Sequence, residues 1–506
     1  MNTITFKIED LDRIVEDSFK NSHLPGLAVG VLKDGDLVYS KGFGKADIKN
    51  NVPVTADTLF RMASVTKLFT AVGLMQHWEG KKFDLDDPVN QYLPKGKIVV
   101  KKGWPDVTFR HLFTHRSGIG ELLKASDVFK PGFGTTVIGR KKSIPPLSSL
   151  HEKDIHPNVR ADFKYAYSNI GFSVLGYLIE IFCGKSFRDY LVEKVLDPLG
   201  MVNSDFELCD KVEKHEAIGY LFRFGKHRVA KYYKNIIKPA GSLYSSVNDM
   251  ARFARMLLEK GTFEGKNLLE PETLDLMWTP QYWSHDALKE QASIGLCFHV
   301  YHVNGKKIVE HGGATSGHTT AFSLIPSENI AVIVLSNLDE IFGSRVTVSI
   351  KNKLIQCILD MKEPEHLEEK YDEIMLNDIK GYYGSYDGVL TNTRVLMAAG
   401  DYKVGLRKGK PYLSSLYGGK RKGSPLYSTD DPLVYEYELG EGAALRRTSK
   451  VAFERGEDGK VSSMSIGFFK LRKNPFVNTL RFKCYTLVTV IIAILILLLM
   501  LKIPFY

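Results

Sequence analysis

Ser64 and Lys67 are the first pair of residues whose types and spacing could do covalent chemistry. They stand three positions apart in the segment LFRMASVTKLFTAVGLMQHWEG, which runs from Leu59 to Gly80. Apolar residues after Ser64 recur mostly at helical spacing, so a helix is predicted to begin at Ser64 and stop at Gly80. Positions i and i+3 share a helix face, and the free N–H groups at a helix start favour developing negative charge.

The chemistry that this pair suggests is nucleophilic catalysis. A serine hydroxyl becomes an effective nucleophile when a base takes its proton, and a lysine in an apolar setting loses proton affinity and can be that base. Taken alone, the pair also fits a simpler interpretation. Serine often caps helices, and lysine often lies along a helix surface with its head in water.

A second group of polar residues lies just before another predicted helix, in the segment FKYAYSNIGFSVLG. Tyr167 beside a lysine ammonium could share protons, and the amide of Asn169 offers both a donor and an acceptor to an amide substrate. The alternatives are that Tyr167 is a core aromatic residue and that Asn169 is a helix N-cap.

The third group is His311, Gly312, Gly313 and Ala314, at a predicted strand end in the segment VEHGGATSGHTT. The two glycines would let a substrate backbone approach the strand edge closely. The amide of Ala314 is predicted to pair with that of Ser64 as an oxyanion hole. A bulge or turn is the alternative for Gly-Gly.

The order S-x-x-K, then Y-x-N, then a basic residue followed by glycines resembles the motifs of the serine β-lactamase and penicillin-binding-protein family, in its class C and DD-peptidase branch. The segments LDDPVNQYLP, VTFRHLFTHRSGI and PAGSLYSSVNDMARFA are similar to the esterase and β-lactamase-like members of that branch. The resemblance covers about residues 10 to 360.

The resemblance implies a role for each matching residue. Ser64 would be the acylated nucleophile, and Lys67 would be its base or would hold Tyr167 as a tyrosinate. Tyr167 would shuttle protons and activate the deacylating water, and Asn169 would orient the substrate and Lys67. Residues 311–314 would line the substrate strand, with Gly313 and Ala314 shaping the oxyanion site.

His311 departs from the family pattern, because β-lactamases usually have a lysine there that binds the carboxylate of the substrate. A histidine with an ordinary pKa near 6.5 is mostly neutral at pH 7 and gives a weaker anion site. True β-lactamase activity is therefore not expected.

Strands are predicted at both ends of the first 361 residues, with helices between them. Leu11, Ile14, Val15 and Phe19 have the spacing of an amphipathic helix, and Asp34-Gly35 separates two apolar runs as a hairpin turn does. The alternating segments after Ile294 have turns at Asn304-Gly305 and at 326–329, and a helix is predicted from about residue 341 to 359. The predicted fold class is α/β, of the β-lactamase/transpeptidase type, with one antiparallel sheet made from both ends of residues 1–361 and a helical insertion.

The remaining chain is predicted to hold four further parts. These are a charged linker (362–378), a small β-rich domain (379–469), a basic segment (470–483) and a transmembrane helix (484–501). The last segment has 18 residues without a charge, which as a helix would span about 27 Å. Because most of the flanking positive charges precede it, the first domain is predicted to be cytosolic, on a single-pass C-terminal anchor.

The amino-acid composition limits which other classes of protein this chain can belong to. The chain has 506 residues, 44% of them hydrophobic and 25% charged, as in folded globular proteins. The net charge is +10, but no nucleic-acid-binding motif is present, so the basic residues before the apolar segment are assigned to contact with anionic lipid. Five widely spaced cysteines fit neither a disulfide framework nor a zinc site, and no metal or cofactor is predicted.

The predicted function is a membrane-anchored serine hydrolase that acts through an acyl-enzyme. Its substrate is expected to be a small-molecule or peptide ester, thioester or amide, including lipid-derived ones. Two alternatives stay open: a non-catalytic scaffold that retains the fold, and a transacylase in which an alcohol or amine replaces water.

Overall fold

The computed structural model describes residues 6–121, 137–140, 142–339, 346–361, 373–384, 401–407, 409–415, 423–439, 445, 448–479, 482 and 486. Within these residues, nine strands form one antiparallel sheet in the spatial order β4-β5-β6-β7-β8-β9-β1-β2-β3. The strands are β1 Gly26–Lys33, β2 Asp36–Asp47, β3 Val52–Pro53, β4 Tyr282–Trp283, β5 Ser293–Ile294, β6 His299–Val303, β7 Lys306–Thr315, β8 His318–Ile325 and β9 Ile330–Ser336.

The sheet is made from both ends of the first domain, which confirms the predicted assembly. β9 lies between β1 and β8, with Val29 opposite Val334, and every residue of β9 is buried. The β1–β2 hairpin turns at Asp34-Gly35, which have φ angles of 54° and 88°. Both residues tolerate positive φ, as a tight hairpin turn requires.

Helices cover both faces of the sheet. On one face, α1 and α11 contribute Leu11, Val15 and Leu354 to the core, and on the other α2 and α9 contribute Leu68 and Phe253. The helices are α1 Ile8–Lys20, α2 Thr66–Glu79, α3 Phe109–Phe113, α4 Leu147–Leu150, α5 Asn169–Cys183, α6 Phe187–Leu191, α7 Asp210–His215, α8 Lys238–Gly241, α9 Val247–Leu258, α10 Pro271–Met277, α11 Val346–Ile358 and α12 Glu373–Ile379. Helix α1 and the part of α11 that the model describes agree with the prediction.

The insertion between β3 and β4 is less purely helical than its sequence predicts. It also holds short two-stranded pieces: Phe60–Arg61 with Tyr244–Ser245, Val137–Gly139 with Tyr233–Asn235, Tyr220–Arg223 with Lys226–Val229, and Thr262–Phe263 with Lys266–Asn267. Strands of two to four residues are too short to show a clear alternation of apolar and polar residues, so periodicity does not reveal them.

The second domain is a closed antiparallel barrel. Its eight strands, counted over the described residues, pair in chain order, and the first pairs with the last. They are β10 Gly381–Gly384, β11 Tyr402–Arg407, β12 Lys410–Ser415, β13 Ser424–Ser428, β14 Val434–Glu438, β15 Thr448–Arg455, β16 Val461–Ile466 and β17 Phe469–Asn474.

Two predicted boundaries of this region differ from the structure. The basic segment is predicted to begin at residue 470, but β17 continues through Asn474, because residues 472–474 pair with β10 and close the barrel. Within the predicted linker, residues 373–378 belong to helix α12, whose Leu376 and Ile379 pack against the barrel core. Residues 362–372 lie outside the described residues.

The predicted transmembrane helix (484–501) also lies outside the described residues, apart from Thr486. In the part of the chain that the model describes, no single helix has the length and apolarity to cross a bilayer.

Candidate active site

Ser64 lies in a tight turn at the start of helix α2. The strand Phe60–Arg61 leads into a 3-10 turn, Ala63–Val65, and the α-helix begins at Thr66, two residues later than predicted. Ala63 has a φ angle of 47°, which is uncommon for a residue with a side chain and marks local backbone strain. The turn places Ser64 at the helix N-terminus, where backbone N–H groups are unsatisfied.

Lys67 is fully buried and surrounded by acceptors. Its Nζ donates to Ser64 Oγ at 3.1 Å, to Asn169 Oδ1 at 2.7 Å and to the main-chain oxygen of Ala240 at 2.7 Å. An ammonium group has three donors, so these acceptors match it one for one. Lys67 is therefore not the solvated surface lysine of the simpler interpretation.

Tyr167 also contacts Ser64. Its Oη donates to Ser64 Oγ at 2.8 Å, and the centre of its ring is 4.9 Å from Lys67 Nζ. Ser64, Lys67 and Tyr167, which the motifs singled out separately, thus meet at one hydroxyl oxygen.

Asn169 is the first residue of helix α5, but it is not the N-cap. The side chain of Ser168 accepts from Gly171 N at 3.0 Å and caps the helix, which frees the Asn169 amide for other contacts. Asn169 Nδ2 donates to Glu121 Oε1 at 3.0 Å while Oδ1 accepts from Lys67. Glu121 therefore fixes the orientation of this amide, and nothing in the sequence near Glu121 indicated that role.

His115 is a second residue that the sequence reasoning missed. Its Nδ1 accepts from Ser168 N at 3.1 Å, its main-chain oxygen accepts from Ala166 N at 2.8 Å, and its ring centre is 4.1 Å from that of Tyr167. Burial, reinforced by the charge of Lys67, lowers the pKa of His115 well below its usual range, so the ring is neutral. His115 positions the Tyr167 segment, and the only signal for it was its place in the family-like segment VTFRHLFTHRSGI.

Strand β7 presents an open edge beside Ser64. Among the described residues, β6 pairs with β7 only as far as Glu310, so residues 311–315 have no strand partner on that side. A Cβ atom at Gly313 would lie 2.2 Å from the main-chain oxygen of Met62, so only glycine lets β7 pass this close to the Ser64 turn. At Gly312 a Cβ atom would lie 3.6 Å from the main-chain oxygen of Thr320, an ordinary van der Waals contact, so this position would accept a small side chain.

His311 is buried at the start of this edge and is not a fixed cation. Its Nδ1 lies 2.7 Å from the main-chain oxygen of Gly312, and its ring stacks on His299 with centres 5.2 Å apart. Burial, followed by the effects of His299 and Lys67, lowers the pKa of His311 well below its usual range. The neutral imidazole agrees with the predicted weak anion site.

These residues border a cavity of about 390 Å³, at the small end of ligand pockets in proteins. Its lining is mostly apolar or aromatic and comes from both domains: Ser64, Tyr165, Tyr167, His299, Glu310, His311, Gly312, Gly313, Ala314, Ala321, Phe322, Val348, Lys351, Phe468 and Phe469. The predicted site residues Ser64, Tyr167 and 311–314 line it directly. Lys67 and Asn169 lie behind Ser64.

Comparisons with known proteins agree with this arrangement. The chain is 30% identical over 408 residues to the unguisins hydrolase ungD' of Aspergillus campestris, covering 74% of this chain and 71% of the relative. The octameric penicillin-binding protein homologue from Pyrococcus abyssi has a TM-score of 0.59 and 26% identity, and the match covers 92% of this chain and all of that one. EstCE1, described as a hydrolase with promiscuous acyltransferase activity, has the same fold, with a TM-score of 0.58, 20% identity, and coverage of 68% of this chain and 97% of its own.

A family model also matches most of the first domain. It is the model described as Beta-lactamase, and it covers residues 11–349, which include Ser64, Lys67, Tyr167, Asn169 and the open edge of β7. The barrel follows the matched region. On this match, and on the relative that is 30% identical, the chain belongs to the Beta-lactamase family of hydrolases.

Proposed function

We propose that this protein is a serine hydrolase that cleaves esters or amides through an acyl-enzyme on Ser64. The observation that carries the proposal is the contact of one hydroxyl oxygen, Ser64 Oγ, with both Lys67 Nζ and Tyr167 Oη at a helix N-terminus. A nucleophile within hydrogen-bond distance of two proton carriers, beside an open strand edge, is the arrangement that acyl transfer requires.

In the first half-reaction, Ser64 Oγ attacks the substrate carbonyl carbon and gives its proton to Lys67 in its neutral amine form or to Tyr167 in its tyrosinate form. A substrate lying along the edge of β7 would place its carbonyl oxygen near the N–H groups of Ser64 and Ala314, where the developing negative charge is stabilised. The carbonyl then re-forms as the bond to the leaving group breaks. The proton taken from Ser64 passes to the leaving oxygen or nitrogen, which leaves as an alcohol or amine.

In the second half-reaction, water attacks the Ser64 ester and its proton returns to Ser64 Oγ through the same groups. Tyr167 is suited to activate this water, because it lines the cavity while Lys67 lies buried behind Ser64. If an alcohol or amine takes the place of water, the same acyl-enzyme gives acyl transfer.

This site does not require its substrate to carry a carboxylate near His311. His311 is neutral, and hydrogen bonds to Ser64, Asn169 and Ala240 hold Lys67 Nζ in place. The relative named as an unguisins hydrolase supports a hydrolase activity. Ester, thioester and amide substrates, including peptide and lipid-derived ones, are therefore the proposed classes.

The test is turnover of a panel of neutral esters and amides by the wild-type protein, by Ser64→Ala and by Ser327→Ala. Ser327 is an exposed serine outside the cavity and serves as the matched control. We expect hydrolysis by the wild type and by Ser327→Ala, and none above background by Ser64→Ala. Turnover that survives in Ser64→Ala would contradict the proposal, and a folded wild type that turns over nothing would favour the scaffold alternative.

We also propose that residues 484–501 anchor the protein in a membrane, with the hydrolase domain on the cytosolic side. The support is the uncharged run itself and the basic residues Arg481 and Lys483 before it. In cells, the full chain should stay in the membrane fraction after alkaline carbonate washing. Its first domain should be digested by protease added to intact organelles, whereas release into the carbonate wash would contradict the anchor.

A further inference from the structure

The barrel domain reaches into the active-site cavity of the first domain. Its last two strands, β16 and β17, are joined by the turn Gly467-Phe468, and Phe468 and Phe469 line the same cavity as Ser64. The ring centre of Phe468 lies 4.9 Å from that of His299 and 5.5 Å from that of Tyr165. The ring centre of Phe469 lies 5.7 Å from that of Tyr165. These two rings form a wall that the hydrolase domain does not supply itself.

The turn is held in place by hydrogen bonds that do not involve the two rings. Tyr282 Oη donates to the main-chain oxygen of Phe468 at 3.2 Å, and Ser284 Oγ donates to that of Gly467 at 2.7 Å. In return, Ser465 Oγ donates to the main-chain oxygen of Ser284 at 3.0 Å. The hydrogen bond from Tyr282 is accepted by the main-chain oxygen of Phe468. A substitution of the Phe468 side chain therefore leaves the hydrogen bonds of the turn available.

Two further contacts seat the barrel on the hydrolase domain. Lys450 N donates to Gln291 Oε1 at 2.7 Å, and Leu288 packs with Val434 and Ala452 of the barrel. Contacts at the turn and at three other barrel residues therefore fix the position of the wall on the hydrolase domain.

The polar part of the cavity carries charges that cancel. Glu310 and Lys351 both line it, and they form an ion pair with each other. Tyr301 Oη at 3.0 Å and Ser323 Oγ at 2.8 Å also donate to the Glu310 carboxylate. With this pair neutralised internally, the lining favours an uncharged group over a carboxylate or an ammonium group.

We propose that this cavity binds the acyl group of the substrate, that it selects short uncharged apolar acyl groups, and that Phe468 and Phe469 of the barrel set the upper limit of their length. The inference rests on the proposed acyl-enzyme. The acyl group stays bonded to Ser64 from the first half-reaction to the second, whereas the leaving group departs at the end of the first, so the cavity beside Ser64 suits the acyl group.

The test is the dependence of kcat/KM on acyl length, measured with p-nitrophenyl esters from acetate to decanoate. The variants are Phe468→Ala and Phe476→Ala in the full chain. Phe476 follows the last barrel strand, its ring centre lies 5.1 Å from that of Tyr382, and it is outside the cavity lining, so it is the matched control. We expect the wild type and Phe476→Ala to prefer short chains, and Phe468→Ala to raise the ratio of octanoate to butyrate hydrolysis roughly tenfold or more.

An unchanged ratio in a folded Phe468→Ala protein would overturn the inference, as would a wild type that prefers the longest esters. If Phe468→Ala does not fold, Phe468→Leu takes its place, and the ratio should still rise by a smaller factor. Failure of the proposed function is distinguishable, because then neither the wild type nor the control hydrolyses any ester of the series.

Discussion

The cluster around Ser64 and the barrel wall opposite it border one cavity but are held in different ways. The cluster is held together by hydrogen bonds between side chains: Lys67 and Tyr167 donate to Ser64, and Asn169 accepts from Lys67. The wall consists of the rings of Phe468 and Phe469, which stand at a turn. That turn is held in place by hydrogen bonds to its main-chain oxygens. Side-chain substitutions in the cluster should therefore stop the chemistry, whereas those in the wall should change which substrates fit.

The largest effect is expected for Lys67→Met, which keeps the length of the side chain and removes its three donors. We expect kcat to fall by about a thousandfold or more, because proton transfer at Ser64 and the position of Asn169 are both lost. Steady-state turnover of a neutral ester measures it, with the exposed Lys49→Met as the control. A loss of less than tenfold in folded Lys67→Met would show that the cluster does not carry the chemistry.

Tyr167→Phe should have the next largest effect. It keeps the ring that packs on His115 and removes only the hydroxyl beside Ser64. We expect a loss of roughly a hundredfold to ten-thousandfold in kcat. If Tyr167 activates the water, the acyl-enzyme should accumulate and appear in the intact mass of the protein during turnover. Slow acylation without accumulation would assign Tyr167 to the first half-reaction alone.

Glu121→Ala should reduce kcat less than Tyr167→Phe does, because Glu121 acts through Asn169 and does not contact Ser64 in the structure. Without its acceptor, the Asn169 amide can rotate away from Lys67, and we expect kcat to fall about tenfold with little change in KM. Glu121→Gln keeps an acceptor oxygen and should restore most of kcat. If Glu121→Gln is as impaired as Glu121→Ala, the charge of Glu121 and not its orienting bond would be the important property.

The two domains should also respond differently to acid. Burial lowers the pKa of six histidines of the first domain: His77, His111, His115, His151, His311 and His318. Residues 373–479, which include the barrel, contain no histidine.

A histidine whose pKa is lowered in the folded state contributes stability above its unfolded pKa of about 6.5, and this is lost as the pH falls through the folded value. For His151, with a folded pKa of about 4, acidification from pH 8 to 5 should remove about 2 kcal/mol. Amide hydrogen exchange, corrected for its intrinsic pH dependence, should show a greater loss of protection at pH 5 in the first domain than in the barrel. An equal loss of protection in the two domains would contradict the expected difference in their response to acid. His151→Gln should reduce the loss of protection in the first domain.

Much of the first domain could be predicted from local sequence patterns. The Asp34-Gly35 turn, helix α1 and the strands after Ile294 follow from periodicity and turn chemistry. The sheet made from both ends of the first domain follows from the order of these strands. The Ser64, Lys67 and Tyr167 motifs were found because each has its own short pattern, and the structure brings them together.

The residues that were missed act across long sequence distances. Glu121 and His115 reach Asn169 and Ser168 through loops, and no periodicity reports which loop residues meet. The barrel wall at Phe468 could not be predicted from the sequence either. Its contacts with Tyr165 and His299 depend on how the two domains pack against each other. The closure of the barrel also depends on pairing between its first and last strands, which neither strand encodes by itself.

The most direct test of the account is covalent labelling of Ser64. The full-length protein would be treated with a fluorophosphonate probe, and its intact mass read beside that of Ser64→Ala. We expect one adduct per wild-type chain and none on Ser64→Ala. An adduct that persists on Ser64→Ala, or a folded wild type that takes up no probe, would contradict the central claim that Ser64 is an activated nucleophile.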